Sequence, residues 1–190
     1  MRPAEVERLL SESGALREGH FLLSSGLHSP RYVQCALLLE LPARARRVGE
    51  ALADLLRPDR PESVLSPAIG GLIVGHEVAA ALGVPFRFSE RRDGVMELRR
   101  GFALRPGERV AVVEDVVTTG RSTREAAAAA EAAGAEVVAV GTIIDRAGGA
   151  SPFAVPFRSL LRLDVPTFPA DACPLCTAGA RPEKPGSRTS

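Results

Sequence analysis

The sequence predicts an α/β fold, a central parallel sheet flanked by helices, with a small set of N-terminal elements outside it. Three observations predict this. Short β-branched or apolar runs alternate with stretches of helical periodicity along most of the chain. The run EVVAVGTII at 136–144 is nearly all apolar, as a strand covered by helices on both faces requires. Val110, Val112 and Val113 lead into two adjacent carboxylates, Glu114 and Asp115, then a small hydroxyl-rich turn, then an alanine-rich helix. In open parallel sheets, ligands sit at such strand ends.

The elements follow in order. Pro3 to Ser13 reads as a short helix with Val6, Leu9 and Leu10 on one face and Gly14 ending it. His20 to Leu23 and Arg31 to Ala36 read as short strands around a turn from Ser25 to Pro30. Pro42 to Leu56 is a helix opened by proline, with Val48, Leu52, Leu55 and Leu56 at helical spacing. Ser63 to Ser66 is a short buried strand, Pro67 to Gly71 a tight turn, and Leu72 to Leu82 a helix. Pro85 to Ser89 is a strand, and Glu90 to Leu98, polar and glycine-containing, reads as a mobile loop. A strand at Arg99 to Phe102 returns from it. Val110 to Val113 is the central strand. The helix Arg121 to Ala133 follows, with Ser122 and Glu125 in capping-box spacing and Gly134 at its end. Beyond Gly148 the chain turns proline-rich, with one further strand at Arg158 to Leu163. These elements make one domain. Residues 1–36 supply hood elements, 37–146 the core, and 147–190 a C-terminal strand and a Pro/Gly-rich tail.

Composition sets the outer limits. With 190 residues, 45% hydrophobic and 25% charged, the chain has enough apolar material for a core. Lys+Arg 24 against Asp+Glu 23 leaves no bias toward nucleic acid or a membrane surface. No apolar run approaches ~20 residues, and the charged, amphipathic N-terminus is not a secretory signal, so the expectation is a cytoplasmic protein. Three cysteines do not make a disulfide framework. Cys173-Pro174-Leu175-Cys176 is a single C-x-x-C with no matching second pair. It reads as free thiols of a tail, to which His20, His28 or His76 would add ligands only if folding happened to bring them there.

The chemistry concentrates at 110–125. A loop that opens a helix presents free N–H groups and the positive end of the helix dipole to an anion. The acidic pair before it repels phosphate but accepts hydrogen bonds from sugar hydroxyls. A ribose carrying a 5-phosphate satisfies both.

This segment resembles the phosphoribosyl pyrophosphate (PRPP) signature of the type I phosphoribosyltransferases, and so implies their fold. The resemblance gives Glu114 and Asp115 the ribose 2- and 3-hydroxyls. It gives the 5-phosphate to the loop Val116, Val117, Thr118, Thr119, Gly120, Arg121 and Ser122. The turn Ser66-Pro67-Ala68-Ile69-Gly70-Gly71 is similar to the family's pyrophosphate loop, with Ala68, Ile69 and Gly70 against the leaving group.

Two further stretches resemble the orotate phosphoribosyltransferases within that family. One is Phe21 to Tyr32 (FLLSSGLHSPRY), which implies a hood over the base with Ser24 and Tyr32 beside the pyrimidine. The other is Asp145-Arg146 at a strand end, where Arg146, with Thr118, would bind orotate. A guanidinium fork suits a planar anion bearing a carboxylate. Pro185-Gly186-Ser187 adds to the likeness.

The resemblance implies transfer of ribose 5-phosphate from PRPP to orotate, with Mg²⁺ held mainly by PRPP and no direct protein ligand. It also implies a homodimer whose basic mobile loop acts on the neighbouring subunit's site. Arg91 and Arg92 are the basic residues of that loop here, placed with Asp115 in the catalytic role. Family members commonly carry lysines where Ser24 and Gly70 stand, and lysines and a histidine in the loop; SERRDGVMELRRGF has neither. Two other readings share the PRPP motif. A phosphoribosyltransferase for a purine or uracil should lack the FLLSSGLHSP stretch and Asp145-Arg146. A PRPP-sensing regulatory protein that binds RNA should have a basic face.

Overall fold

Alternate residues of the central strand are split between two apolar layers, and this builds the molecule. The computed structural model describes residues 1–23 and 25–185. In β6 (Arg109–Val117), Ala111 and Val113 face a cluster with Val48, Leu52, Val74 and Val78, while Val110 and Val112 face one with Ala126 and Ala130. A strand presents successive side chains to opposite faces, so a run of valine and alanine buries both.

Helices α1 (Pro3–Glu12), α3 (Pro42–Leu56) and α4 (Gly71–Leu82) supply the first layer and α5 (Arg121–Ala132) the second. The small Ala126 and Ala130 face the sheet from α5, and both are fully buried. Between α3 and α4 the approach is closer: a β-carbon at Gly49 would lie 2.4 Å from Glu77 Cβ.

The main sheet is ordered β5-β4-β3-β6-β7-β8. Its members are β3 (Ser63–Pro67), β4 (Phe86–Arg92), β5 (Val95–Leu98), β6, β7 (Glu136–Asp145) and β8 (Phe157–Arg162). All neighbours are parallel except β4 and β5. The carboxyl ends of β3, β6 and β7 therefore lie side by side. A separate two-stranded antiparallel sheet pairs β1 (Leu16–Leu22) with β2 (His28–Val33). No described helix is long and apolar enough to cross a membrane.

Several expectations need correction. Residues His28 to Pro30 belong to β2, not to the turn, and Cys35 and Ala36 open α2 (Cys35–Leu39) rather than closing the strand. Glu90 to Leu98 is a regular hairpin, not an irregular loop. Asp93 (φ 51°) and Gly94 (φ 85°) make a two-residue turn whose positive φ values match the strand twist. Its Met96 is buried in the layer that α5 covers. Arg99 to Phe102 is a turn, closed by the Phe102 N–H on Arg99 O at 3.0 Å, not a strand. The central strand runs on through Glu114 and Asp115 to Val117 because β7 stays paired with it, up to Val117↔Asp145. The capping box does not form. Gly120, at φ 72°, is the N-cap, and no side chain caps the helix.

Candidate active site

Thr118 and Thr119 wall two adjoining spaces. The smaller, about 80 Å³, is a cradle formed by Glu114, Val116, Val117 and the loop Thr118 to Thr123. Gly120 adopts its left-handed φ there, and α5 begins at once with Arg121, so the first-turn N–H groups of the helix open toward the loop. Arg124 steadies the loop from outside, donating from Nη1 to Thr119 O at 2.7 Å. That residue was missed in the sequence, since its partner is a main-chain carbonyl.

The larger space is a cavity of about 520 Å³. Leu22, Leu23, Ser25, Leu27 and Tyr32 line one side; Thr118, Thr119, Arg146 and Ala147 the floor; Val165, Thr167 and Pro185 the rest. The last three come from the proline-rich segment, where no local motif marks them. Tyr32 is set by packing on Phe21 (ring centroids 5.8 Å apart) and by its hydroxyl, which donates to Gln34 Oε1 at 2.6 Å. Burial raises its pKa, opposed by the nearby Arg17.

Arg146 is the cation of this cavity. Its main-chain N–H donates to Val117 O at 2.8 Å, which ties the end of β7 to the PRPP-like loop. Its buried Nε has no hydrogen-bond partner among the described residues, and burial lowers its pKa. Asp145 does not neutralise it. That carboxylate accepts from Arg162 Nε at 3.1 Å and from the Ala147 N–H at 2.8 Å. A desolvated guanidinium without a partner favours an incoming anion.

Glu114 and Asp115 stand together at the end of β6. Burial and the adjacent Asp115 push the Glu114 carboxyl well above the usual carboxylate range, and burial raises Asp115 too. The pair thus gains from hydroxyl donors or a cation. Asp115 meets the neighbouring loop: a β-carbon at Gly70 would lie 2.8 Å from Asp115 Oδ1. Ala68, Ile69 and Gly70 form that loop at the end of β3; the Ala68–Ile69 peptide is cis, and Ile69 is 83% exposed.

The two hairpin arginines stand elsewhere. Arg91 is ion-paired with Glu125 on α5, and Arg92 lies at the exposed turn with Asp93 at 3.8 Å. Neither lines the cradle or the cavity. Ser24 lies outside the described residues, as do Gly186 and Ser187.

Comparison with known proteins identifies the family. Residues 36–174 match the model of the phosphoribosyl transferase domain. The chain is 55% identical to the orotate phosphoribosyltransferase of Thermotoga petrophila, over 96% of this chain and 98% of that one. It is 51% identical to that of Carboxydothermus hydrogenoformans, over 97% of each. The solved orotate phosphoribosyltransferase of Aeropyrum pernix superposes with a TM-score of 0.71, at 27% identity over 83% of this chain and 93% of that chain. Fold and site together define a phosphoribosyltransferase of the type I fold. Within that class, the chain belongs to the orotate phosphoribosyltransferase family.

Proposed function

We propose that this chain transfers the ribose 5-phosphate group of PRPP to a ring nitrogen of orotate, giving orotidine 5-phosphate and pyrophosphate on the route to UMP. The observation that carries this reading is the shared wall, Thr118 and Thr119, between a phosphate-sized cradle and a cavity lined by Arg146, whose buried Nε has no hydrogen-bond partner among the described residues. In this reading a ribose 5-phosphate seated on the loop presents its C1 to the base cavity.

In this reading Val116 to Ser122 hold the 5-phosphate through main-chain N–H groups and the Thr118, Thr119 and Ser122 hydroxyls. Glu114 and Asp115 accept hydrogen bonds from the 2- and 3-hydroxyls. Ala68, Ile69 and Gly70 take the pyrophosphate. Arg146 and Thr118 bind orotate, with Tyr32 beside the ring. The C1–O bond to pyrophosphate breaks, a C1–N bond to orotate forms, and the ring nitrogen gives up its proton. Positive charge grows at C1 as the leaving group departs, and the Asp115 carboxylate stabilises it.

Mg²⁺ suits the oxygen-rich substrate, and Glu114 and Asp115, whose carboxyls burial pushes up, hold the ribose hydroxyls beside it rather than the ion itself. When bound, mainly by PRPP itself, it offsets the charge of the leaving pyrophosphate.

A homodimer completes the proposal. In this reading Arg92, at the exposed hairpin turn beside the 59% exposed Val95, acts on a second copy's site. Arg91, which pairs with Glu125 on α5, belongs to the same basic loop and acts with Arg92. The setting is cytoplasmic.

The test is to follow orotate by ultraviolet absorbance with PRPP and Mg²⁺, with uracil and adenine in parallel. Consumption of orotate alone is expected. Turnover of uracil or adenine but not orotate would overturn the assignment of the base.

A further inference from the structure

The four groups His20, His28, Cys173 and Cys176 converge in the fold. One ligating atom from each lies within 4.8 Å of all the others. His20 and His28 come from β1 and β2, brought together by the register Leu22↔His28 and an irregularity between Glu18 and Phe21. The two cysteines flank the start of the short α6 (Pro174–Thr177), three residues apart and so on one side of its first turn. His20, His28 and Cys173 are buried, and Cys176 is partly so.

We propose that these four side chains bind one zinc ion, which fastens the C-terminal segment to the N-terminal hairpin. A tetrahedron with Zn–N ~2.0–2.1 Å and Zn–S ~2.3 Å sets its ligand atoms roughly 3.3–3.8 Å apart. Three separations fall in that range, 3.3 Å (Cys176 Sγ to His28 Nδ1), 3.5 Å (Cys173 Sγ to His20 Nε2) and 3.8 Å (Cys176 Sγ to His20 Nε2), while the two imidazole nitrogens, at 2.9 Å, need to part by a few tenths of an ångström.

The outer contact also fits. His20 Nδ1 lies 2.9 Å from Ala180 O, and a carbonyl takes only a proton donor, so Nε2 turns its lone pair to the other three groups. Metal-bound histidines are commonly backed in this way. Two cysteine sulfurs and two imidazole nitrogens select zinc over magnesium or calcium, which take oxygen ligands.

The placement gives the ion a purpose. The C-terminal segment is already laced to the hairpin. The His28 and Phe168 main chains exchange two hydrogen bonds at 2.8 Å. Glu183 N–H donates to His20 O at 2.7 Å, and Leu22 N–H to Glu183 O at 2.8 Å. Leu22 and Tyr32 on one segment, and Thr167 and Pro185 on the other, face the same cavity. A metal clip between these segments holds the cavity wall in shape without touching substrate. It does so with no hydrophobic core of its own, as small metal-stapled units do.

The test uses untagged full-length protein grown with zinc. Metal content is measured by plasma mass spectrometry, and the metal is then replaced with Co²⁺. One zinc per chain is expected, with the visible bands and sulfur-to-cobalt charge transfer of a tetrahedral thiolate site. The zinc should be lost in Cys176→Ser and in His28→Asn and kept in Cys176→His, which supplies another ligand. Because the cobalt spectrum is read on the wild type, it stands even if a variant fails to fold. Removing the zinc should lower the melting temperature and raise KM for orotate more than KM for PRPP. Substoichiometric zinc with no cobalt–thiolate band would overturn the proposal, as would an intact mass showing a Cys173–Cys176 disulfide. Metal content is independent of the base that the enzyme uses, so this result stands apart from the orotate assay.

Discussion

Gly70 and Asp115 are packed so closely that no side chain fits between them: a β-carbon on Gly70 would sit 2.8 Å from Asp115 Oδ1 and 3.0 Å from its carboxyl carbon. This contact joins the loop after β3 to the acidic pair after β6. Gly70→Ala should therefore displace the Asp115 carboxylate. KM for PRPP should rise by about tenfold, with a stability loss of only about 1 kcal/mol because Gly70 is exposed. Steady-state kinetics beside thermal melting would check it; an unchanged KM for PRPP would detach Gly70 from substrate binding.

The raised carboxyl pKa of Glu114 makes a pH prediction for the ligand-free protein. The folded chain keeps a proton that the unfolded chain has released, so stability falls as pH rises above the ordinary carboxylate range. Glu114→Gln removes this liability. The variant should melt higher than wild type at about pH 8 and match it near pH 4, while binding PRPP about tenfold more weakly. Melting curves across pH, with and without PRPP, would show both effects. A variant less stable at high pH would contradict the sign.

Glu108 behaves oppositely. Burial alone would raise its pKa, but the Arg105 N–H and the Arg87 guanidinium, 2.7 Å away, hold it at about 2. This stabilisation is present above the usual carboxylate value and is lost as pH falls toward about 2. Glu108→Gln should cost about 2 kcal/mol at neutral pH, with the deficit shrinking in acid. Denaturant melts at two pH values would measure it.

Much of the candidate site's arrangement was legible because its residues are local. Glu114 to Ser122 is one continuous strand-to-loop stretch, and Arg146 directly follows the neighbouring strand β7. What was not legible depends on distant segments. Cys173 and His20 meet across 153 residues, so a lone C-x-x-C gave no sign of its imidazole partners. Val165, Thr167 and Pro185 line the cavity from a segment whose own pattern is only proline-rich. The Glu90–Leu98 hairpin failed for another reason. Its Asp93-Gly94 turn signal was present, but the charged residues around it masked a strand pair that buries only Met96 deeply. Ser122 showed a cap pattern that Gly120 pre-empted by taking the left-handed conformation one residue before the helix.

The central claim is that Arg146 selects the base, and kinetics of Arg146→Ala against wild type with orotate and PRPP test it most directly. Loss of a charged, buried hydrogen-bonding group should cost about 2–3 kcal/mol of orotate binding, on the order of a hundredfold in kcat/KM. KM for PRPP and the melting temperature should stay near wild type. An Arg146→Ala enzyme that still takes orotate with wild-type KM would contradict the account.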